Sequence, residues 1–335
     1  MDRPKVSVIV TVFNAEKTLS RCLDSLVAQT LREIEFICVD DGSTDRSASI
    51  LDEYAARDNR FQVYHKINEG VSATRQFGHD HIHGTFFIHL DSDDYAEPQA
   101  YELLYNAAIE DCADIVICDA EQITISGVQK MDYFADDLSA EALIKRMFSW
   151  ETSALWNRLI RTELIKRYDL RFPPYLQLAE DRFFLTCLLH RSIRHNDHLI
   201  ISHLNKALIY YDNAVNPVSL SKLIERKTIF KRLADSYQIL IDELEPDMDI
   251  YGPSFYNFVL GLAFDAFWRA KMDMLNDQEF QSLFMSFQDG IKQYSSNGYR
   301  RTLVLLALCR GIHFASAFKW IAIPTILLDK IRSNK

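Results

Sequence analysis

Val6–Asp45 reads VSVIVTVFNAEKTLSRCLDSLVAQTLREIEFICVDDGSTD. Two β-branched apolar runs, Val6–Phe13 and Ile34–Val39, flank a segment, Lys17–Gln29, in which Leu19, Cys22, Leu23 and Leu26 share one helical face. The apolar period changes from strand to helix and back, and the same alternation continues outward. It predicts helices at Asp45–Ala56, Val71–His81 and Pro98–Glu110, the last opened by proline, and strands at Phe61–His65, Thr85–Leu90 and Ile115–Cys118. Strand-helix alternation at this spacing implies an α/β fold with a mostly parallel sheet flanked by helices. Ligands of such sheets lie at the carboxyl ends of the strands. Those ends carry Asn14, Asp40 and Asp41, Asn68, and Asp91-Ser-Asp-Asp94, so polar and acidic groups converge on one crevice.

The densest of these is FIHLDSDDY, Phe87–Tyr95, with three carboxylates in four positions at the end of an apolar run. Like charges this close repel, which points to a cation or donor opposite them. Hard divalent cations such as Mg²⁺ and Mn²⁺ take carboxylate oxygens, and on phosphates they use one or two of them together with substrate oxygens. The competing reading is a strand-terminating turn and a helix cap, for which aspartate is equally suited. Asp40 and Asp41, on the next strand, can accept hydrogen bonds from a base or ribose, while Ser43 or Thr44 caps the following helix.

Taken with NEGVSATRQFG (Asn68–Gly78), these segments resemble the successive motifs of family-2 glycosyltransferases with the GT-A fold. The likeness continues more weakly through LWNRLI and LAEDRFFL, and covers residues 4 to about 190. It implies that Phe13 lies near the nucleotide base, that the backbone of Thr11–Asn14 lines its pocket, and that Asp41 or Asp40 contacts base or ribose. By the same resemblance Arg75 approaches the nucleotide, Asp91 and Asp93 hold ribose and metal respectively, and Asp181 is the base that deprotonates the acceptor. Asp94, Trp156, Asn157 and Glu180 are candidates for the sugar or acceptor pocket. Glu180 and Asp181 would also suit a helix N-terminus through its dipole, and Trp156 a core position. Where the family often has Ala-Arg-Asn this chain has Thr74-Arg75-Gln76, which keeps the arginine. The activity implied is inverting transfer of a sugar from a nucleotide diphosphate, most often a UDP-sugar, to a hydroxyl of a glycan or lipid-linked acceptor. The cofactor implied is Mn²⁺ or Mg²⁺, and the setting is polysaccharide or glycoconjugate assembly. A catalytically inactive scaffold of the same fold is the alternative, and the joint presence of Asp41, Asp91, Asp93 and Asp181 opposes it.

At 335 residues and 48% hydrophobic the chain is long enough for a real core, and a formal charge of −10 argues against nucleic acid as a partner. From Ile291 onward eight Lys or Arg residues face Asp329 alone, a net +7 that leaves −17 for the rest. We therefore expect a GT-A catalytic domain over 1–215 and a helical region over 216–335, with helices near Leu220–Leu244, Phe255–Met272 and Gln278–Gln293. The basic, apolar segment 300–335 suits an amphipathic helix at a membrane face or one packed on protein. Six scattered cysteines without a paired motif, and the lack of a long uninterrupted apolar run, lead to the expectation of a cytoplasmic protein with reduced, buried thiols, peripheral to the membrane. Association into a homo-oligomer is compatible with the sequence. His79, His81 and His83 read as a solvated helix end rather than a metal site.

Overall fold

The computed structural model describes residues 3–133, 135–149, 153–214, 236–269 and 287–294. These fall into two compact units, one holding residues up to 144 together with 153–214, the other holding 145–149 with 236–269 and 287–294.

The first unit is built on a sheet of β1 (Val6–Val12), β2 (Ile34–Asp40), β3 (Phe61–His65), β4 (Phe86–Asp91), β5 (Tyr95–Ala96), β6 (Ile115–Thr124), β7 (Gly127–Met131), β8 (Arg158–Arg161) and β9 (Ile201–Asp212). Their spatial order is β3-β2-β1-β4-β8-β6-β9-β5, with β7 added on β6. The helices are α1 (Leu19–Val27), α2 (Ser47–Ala55), α3 (Val71–His79), α4 (Ala100–Glu110), α5 (Ala140–Met147), α6 (Glu163–Arg167) and α7 (Glu180–Arg194).

The expected parallel sheet holds for β3, β2, β1 and β4. Beyond β4 the pairing is mixed: β8 is antiparallel to β4 and β6, β9 is parallel to β6, and β5 is antiparallel to β9. The connections explain the change. Parallel neighbours need a crossover, which α1, α2 and α3 supply in turn, whereas β6 turns directly into β7 through Ile125 and Ser126 and so pairs antiparallel.

Side-chain alternation then sorts the strands between two faces. Val6, Val8, Val10 and Val12 of β1 join Leu19, Cys22, Leu23 and Leu26 of α1 and Tyr101 and Leu104 of α4 in one core. On the other face Ile9 meets α3 so closely that a Cβ at Gly78 would lie 2.6 Å from its Cγ2. In β4, Phe86, Ile88 and Leu90 belong to the first core. Phe87 instead meets Phe184 of α7, on which Phe172 stacks at 4.7 Å. Each such ring contributes about 1.5–3 kcal/mol by leaving water, so α7 is firmly held against this face. Asp91 has the parity of Phe87 and His89. A one-residue slip of β4 would turn it into the opposite core.

In the second unit residues 236–244 are helical, a 3₁₀ turn follows at Glu245–Asp247, and helices cover Met248–Arg269 and Gln288–Tyr294. Phe148, Tyr237, Phe255 and Phe258 form its aromatic cluster, with Phe148 and Phe255 edge to face at 5.2 Å. Of the helical region expected over 216–335, helix is observed at 236–244, 248–269 and 288–294. The boundary expected at 215–220 and the segment 300–335 lie outside the described residues. Cys22, Cys38, Cys118 and Cys187 are buried thiols, whereas the Cys112 thiol is exposed, a correction to the expectation of buried thiols. It follows α4 with φ of 52°, where the chain turns outward. Among the described residues no helix is long and apolar enough to cross a membrane.

Candidate active site

The loops after β1 and β2 are clasped together. Asn14, at φ of 49°, accepts from Thr44 N (2.8 Å) and donates its own N–H to Ser43 Oγ (3.0 Å), while Ala15 N donates to Ser47 Oγ (2.8 Å). Ser43 and Thr44 therefore pin the β1 loop instead of capping α2, and Asp45 takes the N–H of Ser47 in their place (2.9 Å). Thr11 is half-buried and in register with Asp91 of β4. Phe13 leaves 44% of its surface exposed, an apolar ring at the mouth of the crevice.

Asp40, the last residue of β2, and Asp41 just after it are both buried and engaged. Asp40 accepts from Ser43 N and lies 3.0 Å from His65 Nδ1. Asp52 and Asp40 together raise the pKa of that histidine. Asp41 accepts from Lys66 Nζ (2.6 Å) and from the N–H groups of Glu69 and Gly70 (2.9 Å each), so it shapes the loop after β3. Three bonds leave one of the roughly four lone pairs of its carboxylate for a ligand. Lys66 was not identified from sequence, because a lone lysine in a polar loop has no pattern to mark it.

Arg75 is the hub. On α3, and only 5% exposed, it reaches Asp91 Oδ1 (3.3 Å) at the end of β4, and Glu180 Oε1 (3.4 Å) and Asp181 Oδ1 (3.1 Å) in the first turn of α7. Residue Ala179, at φ of 60°, makes the sharp entry that turns this first turn toward the hub. The dipole role foreseen for Glu180 and Asp181 is thus compatible with their place in the crevice. Burial pushes Asp91 up to about 6, with Arg75 opposing and Asp93 and Asp181 adding. Burial and Asp181 push Glu180 up to about 8 against the pull of Arg75.

Asp91 O accepts from Asp94 N (3.0 Å), so FIHLDSDDY does form a turn. Within it Asp93 is half-buried, whereas Asp94 is wholly enclosed, accepts from Asp212 N (3.0 Å), and is raised well above the usual carboxylate range by burial and by Asp91 and Asp93. The structure therefore places Asp94 under the end of β9 rather than in an open pocket. Arg21 pairs with Asp212, donates to Asp93 O (2.8 Å) and lies over the Tyr95 ring, tying the turn to α1. Tyr211 senses Asp94 and Asp93, which with burial raise its pKa. Arg21, Tyr211 and Asp212 are further members of the site that local sequence patterns could not reveal.

Trp156 and Asn157 are also enclosed. Trp156 stacks on Tyr211 at 5.9 Å and meets Tyr133 edge-on, in the core against β6 and β9, and Asn157 donates to Cys118 O (3.0 Å). His79 corrects the expectation of a solvated helix end. It is 6% exposed, its Nε2 lies 3.0 Å from His89 Nε2, and Phe87, Phe172 and Phe184 surround it. Burial and Arg75 push it down to about 3. The apolar face of α3 continues through the histidine, which the sequence pattern disguised.

Two places deserve comparison as cation sites. Asp119, Asp132 and His203 bring ligand atoms within 4.8 Å of one another, but the Lys130 ammonium lies 3.2 Å from Asp119 Oδ2 and supplies positive charge there. At the end of β4, Asp91, Glu180 and Asp181 face Arg75, and Asp93 and Asp94 lie near enough to Asp91 for the three charges to act on one another. Carboxylate exceeds cation, Asp94 Oδ2 has no hydrogen-bond partner among the described residues, and the donors are hard oxygens. This set fits Mg²⁺ or Mn²⁺.

Comparison with known proteins agrees with this geometry. The family model for glycosyl transferase family 2 matches residues 7–168. A putative glycosyltransferase, EpsH of Bacillus subtilis (strain 168), is 38% identical over 191 residues, 55% of this chain and 55% of that protein. The chain thus spans about half the length of EpsH. An uncharacterized glycosyltransferase of the same organism, EpsJ, is 31% identical over 251 residues, 71% of this chain and 69% of that protein. The crystal structure of S. aureus TarS 1–349 in complex with UDP-GlcNAc superposes with a TM-score of 0.66 at 22% identity, covering 93% of this chain and 87% of that one. That likeness establishes the GT-A fold.

Proposed function

The chain belongs to glycosyl transferase family 2, and on that premise we propose that it is an inverting, divalent-metal-dependent glycosyltransferase. Its donor is a nucleotide diphosphate sugar of the UDP class, and its acceptor a hydroxyl of a glycan or lipid-linked glycan in polysaccharide or glycoconjugate assembly. The observation that carries this reading is the Arg75 hub, which joins Asp91 at a strand end to Asp181 on a helix far along the chain. Sequence motif and tertiary contact thereby converge on one crevice. The UDP-GlcNAc held by TarS is of the donor class that the chain's own strand-end residues suit.

Each group then has a task. The exposed Phe13 ring and the Thr11–Asn14 backbone receive the base, and Asp41 offers its remaining lone pair to base or ribose while Asp40 holds the loop beside it. Asp91 takes the ribose. Asp93 is the carboxylate that would hold the divalent ion, which when bound neutralises charge on the departing diphosphate. Asp181 accepts the proton of the acceptor hydroxyl as that oxygen bonds to the sugar carbon and the sugar–phosphate bond breaks. Trp156 and Asn157 support the pocket from beneath through β6 and β9.

A thermal-shift panel of nucleotide sugars with and without Mn²⁺ tests the donor class, since a ligand bound to the native state raises the melting temperature by mass action. Asp93→Ala should abolish the metal-dependent shift. Asp181→Ala should keep it and stop transfer; transfer at the wild-type rate would refute the base. The basic, apolar sequence 300–335 supports a place at a membrane face, and its removal should move the protein from a membrane pellet to the supernatant.

A further inference from the structure

His65 ends β3 in register with Asp40 of β2, and its ring lies between two carboxylates. Nδ1 is 3.0 Å from Asp40 Oδ2, and Nε2 is 3.0 Å from Asp52 Oδ1 on α2. A neutral imidazole carries one N–H and one lone pair. It can serve one of these oxygens and must turn its lone pair on the other, whereas the imidazolium donates to both. Among the described residues, the charged groups that act on the ring are these two carboxylates, one from β2 and one from α2. Lys66, next in the chain, is turned instead to Asp41 and Glu69. The partners differ in burial: the Asp40 side chain is 4% exposed and that of Asp52 67%. Asp40 also passes its hold onward. Its Oδ1 accepts from Ser43 N, Ser43 Oγ accepts from Asn14 N, and Asn14 stands at φ of 49° beside Phe13. A residue other than glycine keeps such a backbone only where its surroundings fix it.

We propose that His65, as an imidazolium, is a positioning residue for the donor: it binds Asp40 to α2 and, through Ser43 and Asn14, holds the β1 loop in the shape that receives the base of a nucleoside diphosphate. The proposal rests on the reading of Asp40 and the Thr11–Asn14 backbone as the base side of the site, and gives that side a dependence on pH. Asp52 and Asp40 raise His65 above the ordinary histidine value, in keeping with the geometry. A histidine raised in this way contributes its hold fully below the free value of about 6.5, and that hold is lost as pH rises through the folded value. Deprotonation leaves the buried Asp40 with a neutral hydrogen bond in place of a charge-assisted one, roughly half as strong. The simpler use of His65 is an exposed ion pair on an edge strand, worth little to stability and nothing to ligand binding.

The test uses the full chain, nitrogen-15 labelling of histidine, and UDP with Mg²⁺ as the probe. In ligand-free wild type, the ring signal that disappears in His65→Gln should pass from two bound protons to one with a midpoint above about 6.5, and Asp52→Asn should lower that midpoint. A midpoint at or below the free value, or one that Asp52→Asn leaves unmoved, overturns the proposal. Calorimetry then follows the Kd of UDP from about pH 6 to about pH 8.5, on either side of the histidine range. UDP ionises alike with every variant, so the quantity read is the ratio of Kd for His65→Gln to that for wild type at each pH. The ratio should be about fivefold at the acid end, the difference between a charge-assisted and a neutral bond, and should approach one above the midpoint. In Asp52→Asn the fall in affinity should move to lower pH together with the midpoint. A ratio near one throughout, or a loss that stays constant with pH, overturns the proposal, since a constant loss is what a merely structural histidine gives. Wild type that binds no UDP at any pH would refute the donor reading and the positioning role together, while the ring signal still reports separately whether both nitrogens carry protons.

Discussion

Arg75→Met removes the one guanidinium that meets Asp91, Glu180 and Asp181 while keeping much of its apolar stem. Deleting one partner of a buried ion pair costs about 3–5 kcal/mol, because the remaining charge is stranded. At about 2–4 °C per kcal/mol for a unit of this size, the melting temperature should fall by about 6–20 °C near pH 8. The loss depends on pH with a definite sign. Asp91 at about 6 and Glu180 at about 8 are raised above their unfolded values. Groups of this kind stabilise the fold fully below the unfolded pKa of about 4, and that contribution is lost as pH rises through the folded values. Without the arginine to oppose it the loss is larger, so the gap between variant and wild type should be widest near pH 8 and should narrow by more than half near pH 5. Scanning fluorimetry at the two pH values measures it. A gap below about 2 °C near pH 8, or one that fails to narrow in acid, would refute the account of the hub as a buried charge centre.

Gly78→Ala should cost about 1–3 kcal/mol by forcing a methyl against Ile9, and urea unfolding of the double variant with Ile9→Ala should show less than the sum of the two losses. Full additivity would mean that α3 is not seated on β1 at that point. Asp41→Ala leaves Lys66 to Glu69 alone as its carboxylate partner and frees the N–H groups of Glu69 and Gly70. It should destabilise by about 1–3 kcal/mol, expose the 66–70 loop to protease and remove the donor-induced thermal shift. Proteolysis unchanged from wild type would show that the loop does not depend on that carboxylate.

Much of this protein is legible along the chain. The change of apolar period marks β1, α1 and β2 to within a residue or two, because burial on one face of a strand or helix is a property of a short window. The acidic and polar residues at the strand ends locate the crevice for the same reason: parallel strands end on one side of the sheet. The tertiary structure decided what those residues touch. Asp91, Asp93 and Asp94 are neighbours in sequence, yet the parity of β4 sends Asp91 to Arg75 and the turn sends Asp94 beneath β9. Trp156 and Asn157 follow the same logic, drawn into the core by pairing with β6 and β9. His79 looks polar in the sequence and is buried because another histidine meets its ring nitrogen. Contact among residues 75, 91, 180 and 181 exists only once the aromatic face of α7 has packed on β4, and no window of sequence contains both partners. The sequence by itself therefore determined the elements from β1 to β6 apart from the short β5, and the side of the sheet where their polar ends gather, whereas β5, β7, β8 and β9 came to light only in the fold. The fold decided which charges face each other there, since electrostatic neighbours are set by packing across the chain and not by distance along it.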